Sequence, residues 1–426
     1  MKKLFFTGLL TTITSFLFAQ DIDKIINATE VERVEKTLSS DDMKGRKVFT
    51  PDIDKAADFI AGEFKQTGLS LLKGLTSYKQ SFELLKPTLI SIEGKLGDAP
   101  VSEQNAVVIT SKESVEVTEN TGYEVGSISQ QDMFFDKANG YIQSGKNMIV
   151  LVDTSLSRGF SRLPFFRRQV TPNQATVVFI LSSEKPKTFS IHSTYSFARL
   201  NAANVVGVLP GKTKPNEYVI FSGHYDHLGF GKPVNGDSLY NGANDDAAGT
   251  TAVIMLAKYF KTLKNNNRTL IFVAFTAEEI GGYGSQYFSK QLDPASVKAM
   301  FNIEMIGTES KWGRNSAYIT GYEKTDMSKI LDKNLEGSAF KFYPDPYTAE
   351  KLFYRSDNAT LARKGVPAHT ISTSKMDDEP NYHKPSDEIS TLDMANMAEI
   401  VKAIAISSKT IVSGKDTPSR VKPEAY

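Results

Sequence analysis

The sequence predicts an α/β layer architecture interrupted by a β-rich insertion, and three observations carry that expectation. In the second half of the 426-residue chain, short apolar runs at 204–209, 218–222 and 270–276 alternate with text of helical spacing. The run Leu270-Ile-Phe-Val-Ala-Phe275 holds no polar residue, as a strand covered on both faces requires. From about 86 to 190 the helical spacing fades, and brief apolar runs at 106–109, 148–152 and 176–181 sit in polar text. Strands that alternate with helices bury their faces by layering helices on a sheet.

The elements can be justified in order. Residues 1–19 read as a secretory signal: Lys2 and Lys3 supply the positive start, residues 4–18 the apolar stretch, and Ala19 the small residue before the cut. Val31, Val34 and Leu38 then repeat at helical spacing, with Thr29 and Glu32 expected as a capping box. Thr50-Pro51 opens a second helix whose face is Ile53, Ala56, Ile60 and Phe64 and whose stop is Gly68. The insertion spans 87–190, and its segment Arg158-Gly-Phe-Ser-Arg162-Leu-Pro-Phe-Phe-Arg167-Arg168 is expected to be a mobile loop or lid. Residues 20–86 and 191–413 form one discontinuous domain. Its helices include one with Val253, Leu256, Ala257 and Phe260 on a face, and a last one with Met394, Met397, Val401 and Ile404. Residues 414–426 read as a loose tail. No stretch after the signal is apolar enough to cross a bilayer.

Composition narrows the chemistry. Hydrophobic content of 40% and charged content of 23% are those of a globular chain, not a disordered or fibrous one. The formal charge of +1, or 48 − 49 = −1 once Lys2 and Lys3 leave with the signal, gives no basis for capturing nucleic acid or acidic membranes. There is no cysteine, so thiolate nucleophiles, disulfides and cysteine zinc sites are excluded. Any metal is left to carboxylates and to the five histidines.

Unusual polar residues follow the apolar runs. His224-Tyr-Asp226 follows the run at 218–222, Glu278-Glu279 follows the run at 270–276, and Asn302-Ile-Glu304 follows a shorter run. Asp245-Asp246 stands immediately before a helix, and Asn381-Tyr382-His383 lies in a loop after the run at 368–371. Each pair alone is an ordinary solvated or structural feature. Together they fall at strand ends, where open α/β sheets bind ligands. Several carboxylates and histidines meeting there would repel unless a cation offset their charge. Oxygen and imidazole donors without thiolate suit Zn²⁺, with Mn²⁺ or Co²⁺ as substitutes, and their number suffices for two ions.

This series resembles the M28 family of zinc metallopeptidases, strongly from 204 to about 389 and more weakly over 38–82. The motifs that carry it are His224-Tyr-Asp226-His-Leu-Gly229, Gly242-Ala-Asn-Asp245, Glu278-Glu279, Asn302-Ile-Glu304-Met-Ile-Gly307 and Tyr382-His383-Lys-Pro, with Asp42-Met-Lys-Gly-Arg46 at the start. The resemblance implies a mixed, largely parallel central sheet flanked by helices, of the zinc-exopeptidase type. It implies that Asp245 bridges two Zn²⁺, that Glu279 and His383 complete one site and that His224 and Glu304 complete the other. It further implies Glu278 as general base, Tyr382 as support for the oxyanion and Asp226 as the residue that orients His224. The family usually carries Asp where Glu304 stands, and a stretch like Arg355-Ser-Asp357-Asn358 usually ends in His. His227 and His369 are expected to pack or to support ligands, His192 has no evident partner, and Asp246 and Asp387 are expected to support ligands or to be solvated or capping residues. The insertion occupies the place where many relatives carry a protease-associated domain.

The expectation is therefore an exported, periplasmic or secreted dizinc exopeptidase acting on peptides, an aminopeptidase first. A carboxypeptidase or dipeptidase of the same family, a glutaminyl-cyclase-like acyltransferase and a non-catalytic binding module stand as alternatives.

Overall fold

The computed structural model describes residues 22–422, so the signal expected at 1–19 lies outside the described residues. The chain divides into two compact units. One comprises residues up to Ser81 together with those from Ala202 onward; the other is Phe82–Asn201. The unit boundaries fall five residues before and eleven residues after the ends expected for the insertion. The chain leaves the first unit through the strand Lys79–Leu96 and returns through the strand Phe189–Leu209.

The first unit is built on a mixed sheet. Its strands run in the order Lys341–Pro344, Ser316–Ile319, Ala368–Ser372, Val297–Ile303, Lys214–His224, Arg268–Phe275 and the end of Phe189–Leu209. Four of these six pairings are parallel and two antiparallel, so the sheet is mixed and largely parallel. Side-chain alternation explains the apolar strands. Phe221, Phe272 and Phe301 point to one face, where Phe221 stacks on Phe260, Phe272 and Phe301 at 5.3, 5.6 and 5.0 Å. Ile220, Ile271 and Met300 point to the other face, into a separate buried cluster. All eight residues of Arg268–Phe275 are buried: the six from Leu270 are apolar, and Thr269 at the start donates to the Pro215 carbonyl at 2.8 Å.

Helices cover the first face. Ala28–Leu38 buries Val31, Val34 and Leu38. Its cap differs from the expectation: Asn27 takes the cap position and its side chain accepts the Glu30 amide at 3.1 Å. Pro51–Thr67 begins with proline in the first turn and ends at Gly68 with φ 73°, as expected. Ala248–Leu263 approaches the sheet closely, because a side chain at Gly249 would overlap the Ile303 carbonyl. Met394–Ser407 closes the core. Among the described residues no helix is long and apolar enough to cross a membrane.

The end of the chain departs from its expectation. Arg268, 1% exposed, donates to the Ile411 and Asp416 carbonyls and to the Thr417 hydroxyl. Arg420 donates to the Val297 carbonyl, and Val421 is buried in the core of the second face. The segment to Val421 is thus fastened rather than loose, and Arg268 and Val297 among its partners lie more than a hundred residues upstream in sequence.

The second unit carries a four-stranded sheet ordered Ala106–Ile109, Val177–Leu181, Met148–Val152 and Glu124–Ile128, together with the helix Phe134–Gln143. It has its own apolar clusters. The stretch expected to be a mobile loop instead forms the short turns Ser157–Phe160 and Leu163–Arg167, with Phe160 and Leu163 fully buried.

Candidate metal centre

Three adjacent parallel strands end side by side in the first unit and hand their next residues to one rim. His224 closes Lys214–His224, with Asp226 and His227 following; Glu278 and Glu279 follow Arg268–Phe275; Glu304 follows Val297–Ile303. Asp245 comes from the irregular turn that precedes Ala248–Leu263, and Tyr382 and His383 come from the loop after Ala368–Ser372. That rim is where this sheet class places its ligands.

The side chains converge around Asp245. His224 Nε2 lies 3.1 Å from Asp245 Oδ1, and His383 Nε2 lies 3.1 Å from Asp245 Oδ2 and 3.2 Å from Glu279 Oε2. His227 Nδ1 lies 2.7 Å from Glu279 Oε1 and 3.8 Å from Asp245 Oδ2. Two donor groups result: His224, Asp245 and Glu304, and His227, Asp245 and Glu279, each with its donor atoms within 4.8 Å of one another. Asp245 belongs to both. The longer Glu304 therefore still reaches the centre.

The donor set fits divalent cations. His224 Nε2, both ring nitrogens of His227, Glu279 Oε1 and Glu304 Oε2 are buried and make no well-aligned hydrogen bond, although His224 Nε2 and His227 Nδ1 face carboxylate oxygens at 3.1 and 2.7 Å. His227 Nε2 and Glu304 Oε2 have no such neighbour, and a buried atom left unmet costs on the order of 1–3 kcal/mol. Bonds of about 2.0–2.1 Å in a tetrahedral zinc site put donor atoms ~3.3 Å apart, the scale of the distances above. Charge agrees: although burial opposes it, Asp245 and Glu279 push the His383 imidazole up to about 10. The centre attracts positive charge.

A second layer holds these residues. The Asp226 carbonyl meets His224 Nδ1 at 3.0 Å, which leaves the Nε2 lone pair for a metal. The Asp226 carboxylate does not make that contact, lying 3.8 Å from Nδ1; it accepts the Glu278 and Glu279 amides at 3.1 and 3.3 Å. Asp246 accepts the amides of His224, Gly249 and Met305 at 3.1, 2.9 and 3.0 Å, tying three segments together. Asp387 accepts those of Asn244 and Asp245 at 2.8 and 3.0 Å. Arg46, fully buried, donates to the carbonyls of Tyr225, Leu38, Asn241 and Gly242 at 2.7, 2.7, 2.6 and 2.8 Å.

Burial raises the Glu278 carboxyl well above its ordinary value, His224 opposes, and the nearby Glu304, Asp357 and Glu279 add to the rise. Glu278 belongs to neither donor group. Asp357, itself buried and pushed up to about 7 chiefly by burial, is a contributor to that field which its motif alone did not reveal. The Tyr382 ring stacks on His383 at 4.0 Å. Of the other residues singled out, His369 is a packing residue, bonded to the Thr320 carbonyl and the Thr325 hydroxyl at 2.9 and 2.8 Å. Asn358 donates to the Phe353 and Ala368 carbonyls. His192 reaches the Thr194 hydroxyl at 3.3 Å in the second unit. His227 is where the structure departs most from the sequence reading, for it sits among the donors.

Residues 204–407 match the family model described as Peptidase family M28. Aminopeptidase YwaD of Bacillus subtilis (strain 168) is 22% identical over 476 residues, spanning 100% of this chain and 97% of the relative. A probable zinc metalloprotease of Pyrenophora tritici-repentis is 34% identical over 110 residues, 25% of each chain. Among solved structures, an aminopeptidase from Aneurinibacillus sp. strain AM-1 superposes with a TM-score of 0.55 at 18% identity, covering 95% of this chain and 98% of that one. The zinc aminopeptidase BSAP from Bacillus subtilis does so with a TM-score of 0.55 at 16% identity, covering 94% and 99%.

Proposed function

Since the chain belongs to peptidase family M28 through residues 204–407, and is thereby a metallopeptidase, we propose that it is an exported dizinc aminopeptidase that releases N-terminal residues from peptides. The single observation that carries this reading is the sharing of Asp245 by two convergent donor groups, with Glu278 beside Glu279 but outside both. His224, Asp245 and Glu304 would hold one Zn²⁺, and Asp245, Glu279 and His383 the other. When bound, two such cations polarise the scissile carbonyl and acidify the attacking water.

The chain's own residues supply the proton traffic. Glu278 takes a proton from the water as its oxygen bonds to the carbonyl carbon. It then gives that proton to the amine nitrogen as the carbon–nitrogen bond breaks. Asp226, by holding the Glu278 and Glu279 amides, fixes the turn on which one carboxylate faces a metal and its neighbour stays free. The Tyr382 phenol would donate to the carbonyl oxygen as it becomes an oxyanion, a contribution of about 3 kcal/mol for one such donor. Export rests on the opening residues, where Lys2 and Lys3 precede an apolar stretch ending at Ala19.

Metal stoichiometry combined with hydrolysis of free, N-blocked and C-blocked peptides tests the reading. Two ions per chain and release of free N-terminal residues are expected. Cleavage of N-blocked peptides from the other end, or one ion with cyclisation of N-terminal Gln, would replace it.

A further inference from the structure

We propose that His227 is a third histidine of the metal centre, so that the ion beside Glu279 has four protein donors while the ion beside Glu304 has three. The inference rests on the metal reading above and adds an asymmetry to it.

His227 is placed as a ligand rather than as a packing residue. Its side chain is fully buried, and Nδ1 lies 2.7 Å from Glu279 Oε1 and 3.8 Å from Asp245 Oδ2. Nε2 has no hydrogen-bond partner, and Nδ1 makes no well-aligned hydrogen bond with the carboxylate oxygens it faces. His369 shows what a packed histidine does in this same fold: it is equally buried, and both of its ring nitrogens are bonded. Burying an imidazole with Nε2 unmet and Nδ1 turned into two carboxylates costs free energy that a bound cation would offset. The space is also built for the ring. Gly242, at φ 59°, is a residue whose Cβ would overlap the His227 ring, so the backbone beside the bridging Asp245 is kept bare there.

The consequence follows from donor count. His227, Asp245, Glu279 and His383 would give the ion beside Glu279 four donors, one more than the other ion has. His224, Asp245 and Glu304 would give the other ion three donors and leave a position open, the form taken in catalytic sites. The two ions therefore differ: the one beside Glu279 binds more tightly and leaves last under a chelator, and the one beside Glu304 exchanges.

The full-length chain loaded with Co²⁺ tests this without a variant. Proton NMR in water shows one exchangeable, strongly shifted imidazole N–H signal for each coordinated histidine; three signals are expected, and two would overturn the inference. Zn²⁺ titration of His227→Ala adds a second reading. The tighter ion should weaken by at least ~10–100-fold, since even the loss of a supporting partner costs that much. Both constants remaining within about threefold of the parent would overturn the proposal. A parent chain that binds no divalent cation sinks the dizinc reading as well, whereas two ions with two imidazole signals sinks only the role of His227.

Discussion

Replacing Arg46 by Lys is the most informative perturbation of the architecture behind the site. The guanidinium holds four carbonyls from three separate segments: Leu38, Tyr225, and the pair Asn241 and Gly242. Tyr225 lies between His224 and Asp226, and Gly242 lies three residues before Asp245, so the clamp sets where two metal donors stand. A lysine ammonium keeps the charge, but it is a compact point with three donors and lacks the planar fork that spans separated acceptors. If it leaves two carbonyls unmet, each orphan costs ~1–3 kcal/mol, or ~2–6 kcal/mol in all. Alanine leaves all four, ~4–12 kcal/mol, which rivals the entire ~5–15 kcal/mol stability of a domain. Urea unfolding of the metal-free protein measures the loss, and metal content per chain measures the effect on the donors. Arg46→Lys should unfold at clearly lower denaturant and hold less metal. A variant within about 1 kcal/mol of the parent with full metal content would refute the clamp, since that is the scale of an ordinary substitution.

Three further outcomes are expected. Glu278→Gln should retain the parent's metal content and lose ~10²–10⁴-fold in kcat, the usual worth of a general base; turnover at the parent rate would remove Glu278 from that role. Burial pushes the Glu35 carboxyl from 4.5 up to about 8 against the opposing Thr251 and Arg46. Between those values the folded chain keeps a proton that the unfolded chain has released. Stability is therefore lost as pH rises through the window, by up to ~1.4 kcal/mol per unit, and no more is lost above it. Glu35→Gln should gain stability relative to the parent as pH rises from about 5 to about 8 and stay level beyond, read by denaturation at each pH; a difference that ignores pH would be contrary to this account. Deleting the chain after Lys415 strips Arg268 of the Asp416 and Thr417 partners and exposes the cluster that Val421 covers. The valine alone accounts for ~1.5–3 kcal/mol, and an unchanged unfolding midpoint would show that the tail bears no load.

Much of this was readable because the layer logic writes itself into the letters. A strand covered on both faces is mostly apolar, so the acidic residues that follow Phe275 or Ile303 stand out at its end. The same logic brought His224, Asp245, Glu279, Glu304 and His383 to one rim. What it did not carry were contacts that depend on the path of the backbone between elements. His227 follows His224 by three residues, a spacing that reads the same for a packed ring and for a donor; the bare backbone at Gly242 leaves room for its ring beside Glu279. Asp226 reaches His224 through its carbonyl because its carboxylate is occupied by the next strand's turn. The last residues carry glycine, proline and serine, and their anchor Arg268 stands about 150 positions earlier, beyond any local pattern.

The helix Ala28–Leu38 buries its apolar residues in one core with residues of Met394–Ser407, and that closure imposes a timetable on biosynthesis. A ribosome delivers the first helix more than three hundred and fifty residues before its packing partner, and His383 emerges only shortly ahead of that partner. The intervening Phe82–Asn201 unit has its own apolar clusters, so it can condense while the flanking pieces wait. The first unit can finish its core only when translation is nearly done, and zinc capture becomes a late event of maturation, downstream of synthesis itself.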